Sequence, residues 1–148
     1  MTSSRHYPHG LRMLPRALLL ALAGTAPAYA AELTIDLQGV RASTGIVKVA
    51  LIDSAQAWDG QAAPVDATGA PPSGDSVQFR FSDLKPGRYA VAITHDENNN
   101  GKLDSNMIGM PLEGYGFSNN PRVMRKPTFD EAVFEVGSED LSITVELR

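Results

Sequence analysis

Six segments of this chain alternate apolar and polar residues with a period of two, and this pattern constrains the fold more than any other feature of the sequence. Successive side chains of a β-strand point to opposite faces, so each segment acquires one apolar face. The six segments are 33–37, 47–51, 77–81, 89–93, 132–136 and 141–147. Such faces become buried when antiparallel sheets pack together. The pattern therefore predicts an all-β protein, an antiparallel β-sandwich of about seven strands.

Two segments between these strands are too long to be simple turns. Residues 53–75 contain Trp58 and three prolines, a composition typical of a surface loop. Residues 95–128 concentrate the unusual polar chemistry of the chain. We therefore expect any functional loop to lie in this second segment.

The first thirty residues are typical of a cleaved secretory signal peptide. Three arginines supply positive charge ahead of the first acidic residue, Glu32. An apolar run over residues 17–23 follows, and the small residues of Ala28-Tyr29-Ala30 suit a cleavage site. The run is shorter than the ~20 residues that span a bilayer. We expect one domain over residues 31–148, periplasmic or secreted, without a membrane anchor.

Charge and cysteine content exclude several classes of function. Subtracting the leader's three arginines from the thirteen basic residues leaves ten against seventeen acidic ones, a net charge of about −7. This balance argues against nucleic acid or an anionic membrane as a partner and is compatible with divalent cations. The chain has no cysteine, so disulfides, thiolate metal sites and cysteine nucleophiles are excluded.

Residues 96–104 carry the pattern D-x-N-x-N-G-x-x-D, which resembles a calcium-binding loop. Calcium takes six to eight oxygen ligands, and glycine at the sixth position permits the sharp turn around the ion. The pattern predicts side-chain or backbone oxygen ligands from Asp96, Asn98, Asn100, Lys102 and Asp104.

The loop departs from a full EF-hand at its twelfth position, where Met107 replaces a bidentate glutamate. Glu113 is the candidate for the missing ligand. With few carboxylates, we expect weak, structural Ca²⁺ binding, with a Kd of about 10⁻⁴ to 10⁻³ M. The alternative is a metal-free turn in which Asn and Asp side chains bond their own backbone. Zinc is a poor alternative, since His95 is the only histidine after the leader.

Several long motifs resemble a known bacterial family. They are the segments 84–92, 95–98, 101–104 and 109–120. Together they resemble the bacterial domain-of-unknown-function family 2141, whose members are exported proteins of similar length, and the resemblance covers nearly all of residues 31–148. The 96–104 loop is also similar to calcium loops of immunoglobulin-like and transthyretin-like surface modules of bacteria. That similarity implies a sandwich of this kind with a structural ion.

A second group of side chains forms a candidate surface for a macromolecular partner or a small ligand. The group consists of Tyr115, Phe117, Asn119, Arg122 and Arg125. The two aromatic residues suit a platform for a sugar or peptide, or else they fix the loop to the sandwich. The basic residues suit an anionic partner, or else they are simply solvated.

The sequence favours an exported, non-catalytic binding module with a calcium-type loop. The alternative is a hydrolase or transferase that uses His95 and Glu113, with Ser118 as a nucleophile. No nucleophile-elbow motif surrounds Ser118. By strand alternation, His95 shares the face of Val91 and Ile93, so we expect it to cap the edge of the core through a hydrogen bond.

Overall fold

The computed structural model describes residues 30–148, so residues 1–29 of the predicted signal peptide lie outside the described residues. Within that range, no helix has the length and apolar character needed to cross a membrane. The elements are β1 (Ala31–Gln38), β2 (Ile46–Ile52), α1 (Ala55–Trp58), β3 (Asp66–Ala70), β4 (Ser76–Leu84), β5 (Gly87–Asp96), β6 (Gly114–Phe117), α2 (Phe129–Ala132), β7 (Phe134–Val136) and β8 (Leu141–Glu146).

The strands form two sheets, which confirms the predicted β-sandwich. One sheet has the order β4-β1-β8, and the other has the order β3-β2-β5-β6, with β7 also paired to β5. All strand pairs are antiparallel except β1 with β8. The parallel pair differs from the prediction because the chain crosses from one sheet to the other between β7 and β8 instead of turning back in a hairpin.

The alternating apolar residues face each other across the two sheets. Leu33, Ile35 and Leu37 of β1 are fully buried, as are Val91 and Ile93 of β5. They pack in one core with the apolar faces of β2, β4 and β8. Burying one such side chain contributes about 1.5–3 kcal/mol relative to leaving it exposed. The period-two pattern thus identifies the core-facing residues of the long strands correctly.

The second sheet is also covered on part of its outer face. Ile52 and Ala90 of this face pack with Ala57 and Trp58 of α1 and with Ala132 of α2. Trp58 is only 3% exposed, and its Nε1 donates to the carbonyl oxygen of Pro127 at 2.8 Å. The two short helices therefore form a small second core behind the sheet.

Two details of the sequence-based interpretation are wrong here. Residues 53–75 are not an irregular loop, because they contain α1 and the edge strand β3. The exposed Asp, Thr and Gly of β3 give no alternation, so periodicity does not detect that strand. The segment 132–136 is not one strand, since Ala132 ends α2 and pairing begins at Phe134. Thr128 and Glu131 form a capping box that starts this helix.

Candidate functional site

The predicted calcium loop begins where β5 ends. Asp96 is the last residue of β5 and is 3% exposed. Its Oδ1 accepts the backbone N–H of Asn100 at 3.0 Å, and its Oδ2 accepts that of Gly101 at 2.8 Å. Asn99 and Gly101 have φ values of 61° and 87°, which bend the chain back over the carboxylate. The loop is thus wound around its first acidic side chain.

The other predicted ligands converge on Asp104. Asn98 Nδ2 donates to Asp104 Oδ2 at 2.7 Å, and Asn100 Nδ2 lies 2.9 Å from each Asp104 oxygen. The amide oxygens accept backbone N–H groups, Asn98 Oδ1 from Asn100 and Asn100 Oδ1 from Lys102. The structure therefore brings these side chains together, and Lys102 contributes a backbone donor to the same network.

A lysine from the neighbouring strand binds the same carboxylate as the loop. Lys48 Nζ of β2 lies 2.7 Å from Asp96 Oδ2, and the side chains are 43% and 4% exposed. The hydrogen bond from Lys48 holds the pKa of Asp96 below its ordinary value, and the backbone N–H groups of Gly101 and Asn100 act in the same direction. An ammonium ion therefore already occupies one side of the first predicted calcium ligand.

Glu113 fixes the two ends of the loop. Its Oε1 accepts the backbone N–H of Glu97 at 2.9 Å, and its Oε2 accepts that of Asp104 at 2.8 Å. Glu97 completes the arrangement, because its Oε1 accepts the N–H of Gly114 at 3.0 Å and the Nε of Arg41 at 2.9 Å. In this geometry, the two carboxylate oxygens of Glu113, which the sequence predicts as metal ligands, accept backbone N–H groups at the two ends of the loop.

The candidate metal ligands of the 96–104 loop are carboxylate and amide oxygens. Among residues 30–148, no group of three His, Cys, Asp or Glu side chains is arranged to hold a metal ion. The loop instead offers two carboxylates, Asp96 and Asp104, and the amide oxygens of Asn98 and Asn100. A carbonyl oxygen has two lone pairs, so an amide oxygen that accepts one N–H keeps a second site for a cation. Such an all-oxygen set suits calcium and not zinc.

The residues of the catalytic alternative lie inside the protein. His95 is fully buried, and its Nε2 donates to the carbonyl oxygen of Thr44 at 2.8 Å, as expected for a cap on the core. Its Nδ1 is buried without a hydrogen-bond partner among the described residues. Glu113 is 5% exposed. Neither side chain is directed toward solvent.

Ser118 connects the strands on one edge of β5. β6 pairs with residues 92–95 and β7 with residues 87–89, which leaves Ala90 and Val91 between them. The N–H of Ser118 donates to Val91 O at 3.0 Å, while Ser118 Oγ accepts the N–H of Val91 at 2.9 Å and donates to Ala132 O at 2.5 Å. Ser118 therefore satisfies both backbone groups of Val91, which neither strand reaches.

The candidate partner surface does not form one patch of free side chains. Phe117 is half-buried, with its ring 5.6 Å from Trp58 and 6.0 Å from Tyr115. It packs against the small second core behind the sheet. Asn119 Nδ2 donates to the carbonyl oxygen of Val133 at 2.8 Å. Tyr115 is half-buried next to Phe117, and Arg122 and Arg125 are exposed.

Arg125 forms an ion pair with Glu131, and this pair makes the stability of the fold depend on pH. The guanidinium, together with the N–H of Thr128, lowers the pKa of Glu131 from 4.5 to about 2. As the pH falls, Glu131 is protonated in the unfolded chain before it is protonated in the folded one. The ion pair therefore stabilises the fold fully above pH 4.5, and this stabilisation is lost as the pH falls toward 2. We expect Glu131→Gln to reduce the free energy of unfolding at pH 6 and to have a smaller effect at pH 3. Urea unfolding measures this difference.

The exposed Glu135, which has no salt bridge within residues 30–148, supplies the matched control. Glu135→Gln should change the stability little at either pH. An equal effect of Glu131→Gln at pH 6 and pH 3 would contradict the assignment.

The sequence does not indicate that Lys48 shapes the site. Lys48 is the only polar residue of β2, but nothing local to residues 46–52 associates it with Asp96. The signal lies in the register, because Ile46 pairs with Asp96 and Lys48 with Thr94. Side chains two positions apart on adjacent strands are diagonal neighbours on one face.

Comparison with known proteins identifies a family. A search of curated proteins finds no match, and a search of solved structures also finds none. A family model described as an uncharacterized protein conserved in bacteria, DUF2141, matches residues 35–144. That range includes most of the sandwich and the whole 96–104 loop, as the sequence motifs indicate. The chain belongs to the DUF2141 family.

Proposed function

We propose that this protein is an exported binding module whose 96–104 loop holds one calcium ion. The observation that carries the proposal is the convergence of Asp96, Asn98, Asn100 and Asp104 within one glycine-bent turn. Calcium is bound by carboxylate and amide oxygens at 2.3–2.6 Å in flexible geometry. The loop supplies these atoms directly after the end of β5.

The pairing of Lys48 with Asp96 supports the fit of a cation. The ammonium lies 2.7 Å from Asp96 Oδ2 and balances a carboxylate that is almost fully buried. A bound calcium would take over this role, and Asn98 and Asn100 would turn their amide oxygens inward from Asp104. Because binding must displace these internal bonds, the expected affinity is weak, with a Kd of about 10⁻⁴ to 10⁻³ M.

Thermal unfolding in calcium, magnesium and chelator tests the proposal. At a calcium concentration about tenfold above Kd, binding adds about 1.4 kcal/mol to the free energy of unfolding. Because 10 mM Ca²⁺ is at least tenfold above the expected Kd, we expect it to raise the Tm by about 4 °C or more over chelator, and Mg²⁺ to raise it less. Asp104→Asn keeps the side-chain shape but removes one charge, so it should lose most of the calcium effect.

Asp59→Asn is the control, because Asp59 is exposed and lies outside the loop. This variant should respond to calcium as the wild type does. Equal Tm values for the wild type in calcium and in chelator would refute the calcium site.

Export is a part of the proposal that can be tested separately. Ala31, the first residue after the proposed cleavage site, begins β1 and is fully buried. We expect the full chain, expressed in a Gram-negative bacterium, to appear in the periplasm or medium. Mass spectrometry should show an N-terminus at Ala31. Recovery of the uncut chain in the cytoplasm would contradict export.

The burial of the polar residues leads us to propose binding instead of catalysis. His95 and Glu113 are almost inaccessible, and both make hydrogen bonds to the backbone. Ser118 uses its hydroxyl to join β5 to α2. A nucleophile and its base must lie within hydrogen-bonding reach of each other and of a substrate.

A further inference from the structure

The outer face of the five-stranded sheet is only partly covered. α1 and α2 pack over Ile52 and Ala90, but the remainder of this face forms a groove of about 500 Å³. Its floor consists of Ala50, Ala67 and Ala92, which lie side by side on β2, β3 and β5. We call this depression the outer groove. Small side chains on three adjacent strands let an apolar molecule approach the sheet closely.

One cationic side chain lies in the outer groove. Among the described residues, Lys48 is the only ionisable one that lines the groove, and Thr94 on the same face contributes a hydroxyl group. Lys48 and Thr94 are directly paired on the sheet. A mostly apolar groove with one charged group suits a small ligand with an apolar body and one group of opposite charge.

The same lysine connects the outer groove to the loop. Its Nζ is 2.7 Å from Asp96 Oδ2, so in this state the ammonium is neutralised by the protein itself. The Asp96 carboxylate also repels an anion that approaches Lys48. A calcium ion in the loop would take the Asp96 oxygens, cancel this repulsion and free the ammonium.

We propose that the outer groove binds an apolar molecule with one anionic group, and that calcium in the 96–104 loop increases the affinity. The calcium part rests on the proposed function, whereas the groove and its lysine do not. Because coupling between two binding equilibria is reciprocal, the anionic ligand raises the affinity for calcium by the same factor.

Titration of the isotope-labelled protein with hexanoate and with hexanol, followed by amide chemical shifts, tests the proposal. We expect hexanoate to shift the amides of Ala50, Ala67 and Ala92 and to bind at least threefold more tightly than hexanol. Adding 10 mM Ca²⁺ should strengthen hexanoate binding at least threefold and leave hexanol binding unchanged. Lys48→Met should abolish the preference for hexanoate, and Lys48→Arg should retain it.

Lys85→Met is the control, because Lys85 is exposed and lies outside both the 96–104 loop and the outer groove. Equal binding of hexanoate and hexanol, or shifts outside the groove, would overturn the assignment of the ligand. If calcium binds but leaves hexanoate affinity unchanged, the coupling is refuted and the calcium site stands. If hexanoate binds through Lys48 while calcium does not bind, the proposed function fails and the groove stands.

Discussion

Gly45→Ala is expected to destabilise the protein by about 2–5 kcal/mol. Gly45 has a φ of 85°, a conformation that costs other residues about 1–2 kcal/mol. A Cβ at this position would also overlap the carbonyl oxygen of Asp96 and lie 2.7 Å from Glu97 Cα. Both contacts are backbone, so the strand end must shift, which adds about 1–3 kcal/mol.

Asp96, which Gly45→Ala would displace, is the first ligand of the proposed calcium ion, so the same substitution should weaken calcium binding. Gly60→Ala separates the two causes, because Gly60 has a φ of 77° and nothing within 4 Å of the added atom. It should cost only about 1–2 kcal/mol and leave the calcium response intact. Urea unfolding with and without Ca²⁺ measures both quantities. Equal destabilisation by the two substitutions would show that the contact with Asp96 is unimportant.

Ser118→Ala is expected to cost about 2–4 kcal/mol. The substitution removes the acceptor for the N–H of Val91 and the donor to Ala132 O, and Ser118 is fully buried. An unsatisfied buried polar group costs about 1–3 kcal/mol. The loss should appear as a lower free energy of unfolding and as faster hydrogen exchange at the amide of Val91.

Ser105→Ala provides the comparison, since Ser105 is exposed and its hydroxyl makes no hydrogen bond within residues 30–148. It should change the stability by less than about 0.5 kcal/mol. If Ser118→Ala were as stable as Ser105→Ala, the connecting role of Ser118 between β6 and β7 would be wrong.

The long strands could be predicted because apolar and polar residues alternate along each of them with a period of two. Residues such as Ile35, Val49 and Ile93 lie on the apolar face of an alternating segment, and all three are buried between the sheets. The edge strand β3 could not be predicted, because its backbone pairs with β2 although its side chains are exposed. The predicted strand 132–136 is divided between α2, which ends at Ala132, and β7, which begins at Phe134.

The candidate site was predictable only where it is local in sequence. The spacing of Asp96, Asn98, Asn100 and Asp104 alone predicts that these side chains meet. The ion pair with Lys48 depends on strand register, and the use of both Glu113 oxygens by backbone N–H groups depends on where the chain returns to the sheet. Neither relation is encoded in neighbouring residues, so both required the folded structure.

A calcium titration followed at the backbone amide of Gly101 tests the calcium site most directly. This N–H donates to Asp96 Oδ2, the oxygen shared with Lys48, so its chemical shift reports any change at that carboxylate. We expect a saturable shift that fits one ion with a Kd of about 10⁻⁴ to 10⁻³ M and that disappears in Asp104→Asn. An unchanged Gly101 resonance up to 10 mM Ca²⁺ would contradict the calcium site.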